Sequence, residues 1–187
     1  MNTVVMTPVQ LQRPLDIQIR RKSMPVDFFS KNHRFSANVD VRKYNVIDLL
    51  NNSLTDYIEV TDLYVSRINQ PGDIVDTCQT AALTKENIAF AIIPNESDAL
   101  TPEHRYSFSR AQTAQVKLSV ADFEIKGELE ITCKPELHAI LTTGTNNFMS
   151  VFSSTATHSG HQDLQLQGSA ILVNKSVINY FGFGVQN

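Results

Sequence analysis

The sequence predicts a mainly β protein: two tandem repeats of a small antiparallel five-stranded barrel, each with one short helix. Three observations carry that expectation. Short runs alternate apolar and polar residues, as in Phe35-Ser-Ala-Asn-Val-Asp-Val41 and Ile125-Lys-Gly-Glu-Leu-Glu-Ile131. The phrases recur in the same order along the chain. The connections between them are too short for the crossovers that parallel strands need.

The recurrence is visible by subtraction. Val39 and Leu129 stand 90 apart (129 − 39), as do Phe28 and Leu118. Leu50 and Leu141 stand 91 apart, as do Tyr57 and Phe148, which places one inserted residue near Pro135. Leu83 and Leu172 stand 89 apart, as do Ile88 and Val177. Apolar classes persist while the polar residues between them change, the mark of one small core used twice.

Four segments follow. Residues 1–24 form a polar arm carrying Arg13, Arg20, Arg21 and Lys22, with Leu15, Ile17 and Ile19 alternating inside it. The first barrel, 25–93, opens with a hairpin of Val26–Ser30 and Arg34–Arg42. A helical turn over Val46–Leu50, capped by Asn45, comes next. The strand Thr55–Ser66, a Pro-Gly turn over Asn69–Asp73, and the strands Thr77–Thr84 and Asn87–Ile93 complete it. Residues 94–113 read as a linker, rich in turn formers such as Pro94, Asn95 and Pro102. The second barrel, 114–187, repeats the order: Gln115–Val120, Asp122–Thr132, a helix over Pro135–Leu141, Phe148–Ala156, a loop over Thr157–His161, Leu164–Val173 and Ser176–Phe183.

Composition narrows the function classes. The chain has 187 residues, 42% hydrophobic and 19% charged, enough apolar mass for a core. A net charge of −3 argues against a general binder of nucleic acid or anionic membranes. Cys78 and Cys133 fall at unmatched places in the two copies, which fits a reducing compartment better than a disulfide framework. No signal-like or membrane-spanning run is read in the sequence, so the expected location is cytoplasmic.

Gly127-Glu-Leu129 in the second strand, Asn146-Asn-Phe-Met149-Ser150 opening the third, and Leu172-Val-Asn174-Lys175-Ser-Val177 near the end together resemble the Sm-like branch of SH3-type small barrels. Ile47-Asp-Leu-Leu-Asn51 and Ile58-Glu-Val-Thr-Asp62 are also similar to phrases of an uncharacterised bacterial family. The Sm-like resemblance implies an RNA or ligand contact through Asn146, Met149, Ser150, Asn174 and Lys175. The Arg-Gly turn that grips phosphate in that family is missing here, which lowers the nucleic-acid reading.

Candidate chemistry is sparse. His158 and His161, with Asp163 nearby, lack the further ligands that zinc requires, so no metal is expected. Glu128 and Glu130 share the outward face of their strand. No nucleophile motif and no phosphate-cradling glycine loop occurs, and a PilZ-like nucleotide site lacks both of its phrases. The expectation is a non-catalytic assembly or interaction module without a cofactor, oligomeric or part of a larger complex. Its partner is protein or a second copy, with an RNA- or nucleotide-binding regulator as the alternative. The apolar strand ends carrying Ile88, Phe90 and Ile92, and Val177, Tyr180, Phe181 and Phe183, are the candidate interface.

Overall fold

The computed structural model describes residues 23–100, 112–131, 137–142 and 146–184. The basic arm, with Arg13, Arg20, Arg21 and Lys22, lies outside these residues, as do Cys133 and most of the expected linker. The chain is mainly β and antiparallel, as its alternation predicts.

In the first half, β1 (Ser23–Phe29), β2 (His33–Asp40), α1 (Val46–Asn51), β3 (Tyr57–Arg67), β4 (Gln70–Thr84) and β5 (Phe90–Ile93) follow in sequence. In the second, β6 (Gln112–Val120), β7 (Phe123–Ile131), α2 (Leu137–Thr142), β8 (Phe148–His158), β9 (His161–Asn174) and β10 (Ile178–Phe183) do the same. The strands form one open ten-stranded sheet in the order β10-β6-β7-β8-β9-β5-β1-β2-β3-β4. They do not separate into two closed barrels, because β5 and β9 pair with each other across the middle. No helix among the described residues is long and apolar enough to cross a membrane.

Each half has the same strand order, β5-β1-β2-β3-β4 and β10-β6-β7-β8-β9. The irregularities coincide as well. The bulge between Ser36 and Asn38 on β2 matches the one between Lys126 and Glu128 on β7 (126 − 36 = 90). Positive φ occurs at Asp62 (50°) and Ser153 (45°), at the same place in β3 and β8 (153 − 62 = 91). A bulge bends a strand and raises its twist, so matched bulges give the two halves a matched curl.

The final strands correct one sequence expectation. Ile58 pairs with Leu83, and Met149 pairs with Val173, so Leu83 corresponds to Val173 rather than Leu172. The turns Lys85–Asn87 and Lys175–Val177 also match, so Ile88 corresponds to Ile178 rather than Val177. The spacing is 90, not 89 (173 − 83). Ala170-Ile-Leu-Val173 is apolar throughout and buried on both faces, so it lacks the period of two that would fix its register.

Two hairpins also differ from expectation. Pro71 and Gly72 lie inside β4 rather than in a turn. An edge strand tolerates proline, whose missing N–H can face outward. The expected loop over Thr157–His161 shrinks to a reversal at Ser159 and Gly160, with His158 paired to His161. Helix α1 starts at Asn45 as expected: its N–H donates to the Asp48 carboxylate at 3.3 Å, and its side-chain amide donates to the Ser97 carbonyl at 2.9 Å.

Two cores lie on opposite faces of the central strands. The first gathers Met24, Val26, Phe28, Val39, Ile47 and Leu50 with Ala91, Ile93, Ala170 and Leu172. The second gathers Val116, Leu118, Phe123 and Ile125 with Phe90, Ile171 and Val173. Successive residues of β5 and β9 therefore feed different cores, which makes the middle of the sheet the best buried part of the chain.

Candidate interaction surface

The junction between the halves is a short antiparallel ladder: Phe90 opposite Val173, Ala91 opposite Leu172, Ile92 opposite Ile171 and Ile93 opposite Ala170. Both strands are apolar, so pairing removes backbone polar groups and side chains from water together. Phe90 is stacked on Phe29 at 4.5 Å and meets Phe123 of the second half edge-on at 5.0 Å. Such geometries add to the energy of area burial.

Close approach depends on a glycine. A Cβ on Gly168 would lie 2.7 Å from Ile92 Cγ2, so only glycine admits that side chain. Beyond the ladder, Asn174 Nδ2 donates to the Ile88 carbonyl at 3.0 Å, and Ser169 Oγ donates to the Pro94 carbonyl at 2.8 Å.

At the two ends of the sheet, β10 and β4 have no further strand beside them among the described residues. β10 pairs only with β6, and β4 only with β3. Along β4 the residues from Gln70 to Thr80 are exposed, including Ile74, Val75 and Cys78. An exposed strand edge carrying apolar side chains is a ready template for another chain.

The candidate interface residues separate between these places. Ile88, Phe90 and Ile92 belong to the junction: Ile88 and Phe90 are buried, and Ile92 packs on the second core. Their partner is the other half of the same chain. Val177, Phe181 and Phe183 are half-buried against the second core, Tyr180 is exposed, and all four lie on or beside the open edge.

The residues implied by the Sm-like resemblance do not form one open site. Asn174 is buried and uses its amide on the Ile88 carbonyl and its Oδ1 on the Ser176 N–H and hydroxyl. Ser150 Oγ donates to the Ala99 carbonyl, and Met149 packs on the second core. Asn146 is half-buried in the approach to β8. Burial lowers the pKa of Lys175, so its charge is less favourable there than on open surface. A polar cleft of about 430 Å³ does lie between the halves, lined by Asn51, Asp56, Lys85, Asn147, Asn174 and Ser176. Its ammonium is already committed: Lys85 Nζ donates to the Asn52 carbonyl, the Thr55 carbonyl and Thr55 Oγ1 at 2.8, 2.9 and 3.1 Å.

The histidine pair is built into its hairpin. His158 packs edge-on against Phe123, and its Nδ1 accepts the Gly160 N–H at 3.0 Å. Among the described residues no cluster of His, Cys, Asp and Glu has the makings of a metal site. His33 rests against Phe35, while His138 accepts a hydrogen bond from Thr142 through its carbonyl. Glu128 accepts from Gln115 across the strands.

Sequence reasoning misses three residues at these surfaces: Gly168, Asn51 in the cleft, and Tyr57, exposed opposite Thr84 at the end of β4. Only Gly168 leaves a signal, a lone glycine within an otherwise strand-like run. Comparison with protein-family models, with curated proteins and with solved structures finds no match for this chain.

Proposed function

We propose that this chain is a non-catalytic assembly module: a small barrel unit, duplicated and joined edge to edge, whose outer edges take protein partners. One observation carries the reading. The halves are held by pairing of β5 on β9, while the strands in the corresponding places, β10 and β4, have no strand on their outer sides among the described residues. Edge strands left in that condition favour association. Matched bulges and matched positive-φ residues, at spacings of 90 and 91, support duplication, since independent sequences have no reason to share them at corresponding places. Within this reading each half is a five-stranded SH3-type unit left open to join the other, and the Sm-like phrases around Gly127 and Met149 fall on the second and third strands of the second unit.

The RNA- or nucleotide-binding alternative has less behind it, because Asn174 and Lys85 direct their polar groups inward. Size-exclusion of the chain from its native extract separates the two. An assembly module runs well above 20.9 kDa, with or without nuclease, and keeps its size as salt rises. Loss of that size on nuclease treatment, or steep weakening with salt, would replace the proposal with the nucleic-acid reading.

A further inference from the structure

The internal junction specifies what the outer edges fit, and this step rests on the assembly reading above. We infer that a second copy of this chain lays its β4 against β10 of the first, head to tail, in the register of the junction. Carrying β5 forward by 90 puts Phe90 at Tyr180 (180 − 90), and carrying β9 back by 90 puts Val173 at Leu83 (173 − 83). Tyr180 then lies opposite Leu83 of the next copy, Phe181 opposite Ala82 and Gly182 opposite Ala81.

The edges are complementary where the junction demands it. Inside the chain, Gly168 on β9 makes room for Ile92 on β5. At the outer edges the large and small residues change sides: Cys78 stands on β4 where Gly168 stands on β9, and Gly182 stands on β10 where Ile92 stands on β5. A Cβ on Gly182 would meet nothing closer than the Lys117 carbonyl at 3.9 Å, so the first copy leaves that space open. The Cys78–Gly182 pair is smaller than the Gly168–Ile92 pair, but in each a glycine faces the larger side chain, which avoids a collision at close approach.

Exposed aromatics mark the same surface. Phe90 and Phe148 tie the junction and are 0% and 3% exposed. Tyr180 and Tyr57, in the corresponding places, are 44% and 45% exposed. Each presents a ring to water where its counterpart is covered by the neighbouring half, and a tyrosine hydroxyl suits a surface that is wet part of the time. The devices that hinder edge pairing lie outside the stretches that meet: Pro71, Asp73 and Asp76 farther along β4, and the β10 bulge between Ile178 and Tyr180 at its start. Neither Thr80-Ala-Ala-Leu-Thr84 nor Asn179-Tyr-Phe-Gly-Phe183 contains a proline or a charge. Head-to-tail contacts of this kind close into rings or continue as filaments.

The test is a steric swap read by sedimentation and light scattering on the purified full chain. The wild type is expected at a multiple of 20.9 kDa. Gly182→Ile, whose Cβ meets nothing closer than 3.9 Å in the single chain, is expected to weaken association by roughly tenfold or more by colliding with Cys78 of the next copy. Adding Cys78→Gly is expected to restore it. In a Cys78→Ser, Cys133→Ser background, mixing Phe181→Cys with Ala82→Cys gives a disulfide-linked dimer, and mixing Phe181→Cys with Thr77→Cys does not.

A wild type that stays at 20.9 kDa at every concentration overturns self-pairing, including the case where the arm carrying Leu15, Ile17 and Ile19 covers an edge within one chain. That result leaves the assembly module intact if native extract still gives a nuclease-resistant complex with another protein. Oligomers indifferent to Gly182→Ile, or not restored by Cys78→Gly, overturn the register proposed here.

Discussion

The side-chain amide of Asn51 holds the backbone of Phe148 at both ends: its Oδ1 accepts the Phe148 N–H at 2.7 Å, and its Nδ2 donates to the Phe148 carbonyl at 3.1 Å. Asn51 is the last residue of α1, and Phe148 opens β8, so the contact fastens the first half to the second. It also satisfies backbone groups at the start of a strand, before the ladder with β9 takes over. Asn51→Ala removes both bonds and is expected to cost about 1–3 kcal/mol. Urea denaturation checks this: the midpoint falls while the slope stays constant, because the surface exposed on unfolding is unchanged.

Phe90 is the side chain on which the junction turns. It is fully buried, stacked on Phe29 and set edge-on to Phe123. Because β5 and β9 contribute to both cores, the halves are expected to unfold together, with one calorimetric transition for the wild type. Phe90→Ala leaves a cavity between the halves and is expected to cost about 3–5 kcal/mol. Calorimetry should show a lower midpoint that broadens or divides as the halves lose their common support.

These junction residues show where sequence patterning is informative and where it fails. In β2, Ala37 and Val39 are buried while Ser36 and Asn38 are less so, and that alternation is plain in the sequence because one face meets the core. The Asn45 helix start is equally plain, since the cap has its own local chemistry. The succession of strands and helix in each half was therefore legible, whereas the two expected barrels form one open sheet. Ala170–Val173 and Phe90–Ile93 bury both faces, so their register carries no periodic signal and slipped by one residue. The surface was legible in half: the β10 residues stood out by their aromatic content, whereas β5 gave no hint that its outer edge is already occupied by β9. The sequence did not reveal that Asn174 turns inward, because only geometry brings Ile88 to its amide.

Gly127 and Ser154 give a pair of expectations with opposite signs. A Cβ on Gly127 would lie 2.6 Å from the Phe152 carbonyl oxygen and 2.7 Å from Val151 Cγ1, where β7 and β8 cross closely at the bulge. Gly127→Ala is therefore expected to destabilise by about 1–3 kcal/mol, by overpacking. Ser154 is buried with no hydrogen-bond partner for its hydroxyl, and Leu63 holds the corresponding place in the first half (154 − 63 = 91). Ser154→Ala removes a desolvated group that gains nothing in return, and is expected to raise stability by about 1 kcal/mol. Chemical denaturation of the two variants side by side checks both signs.

Lys85 contributes to the response to alkaline pH. Its ammonium is buried and donates to Asn52 and Thr55, and desolvation lowers its pKa below the usual 10.5 despite the opposing pull of Asp56. The folded state therefore releases this proton before the unfolded state does. Between the depressed folded value and 10.5 the unfolded chain binds more protons, so stability from this group rises with pH across that window. Lys175 acts in the same direction through its own burial, whereas Lys117, raised by hydrogen bonds to Glu124 and Tyr180, acts in the opposite sense only above 10.5. Lys85→Met leaves the Asn52 and Thr55 acceptors without their donor and is expected to cost about 1–3 kcal/mol at neutral pH. Because the variant lacks the titrating group, the wild type's advantage over it should widen as pH climbs toward the ordinary lysine value. Denaturation midpoints for both proteins across that range test the sign: an advantage that stays flat or shrinks would mean that the Lys85 ammonium is not held at a desolvation cost.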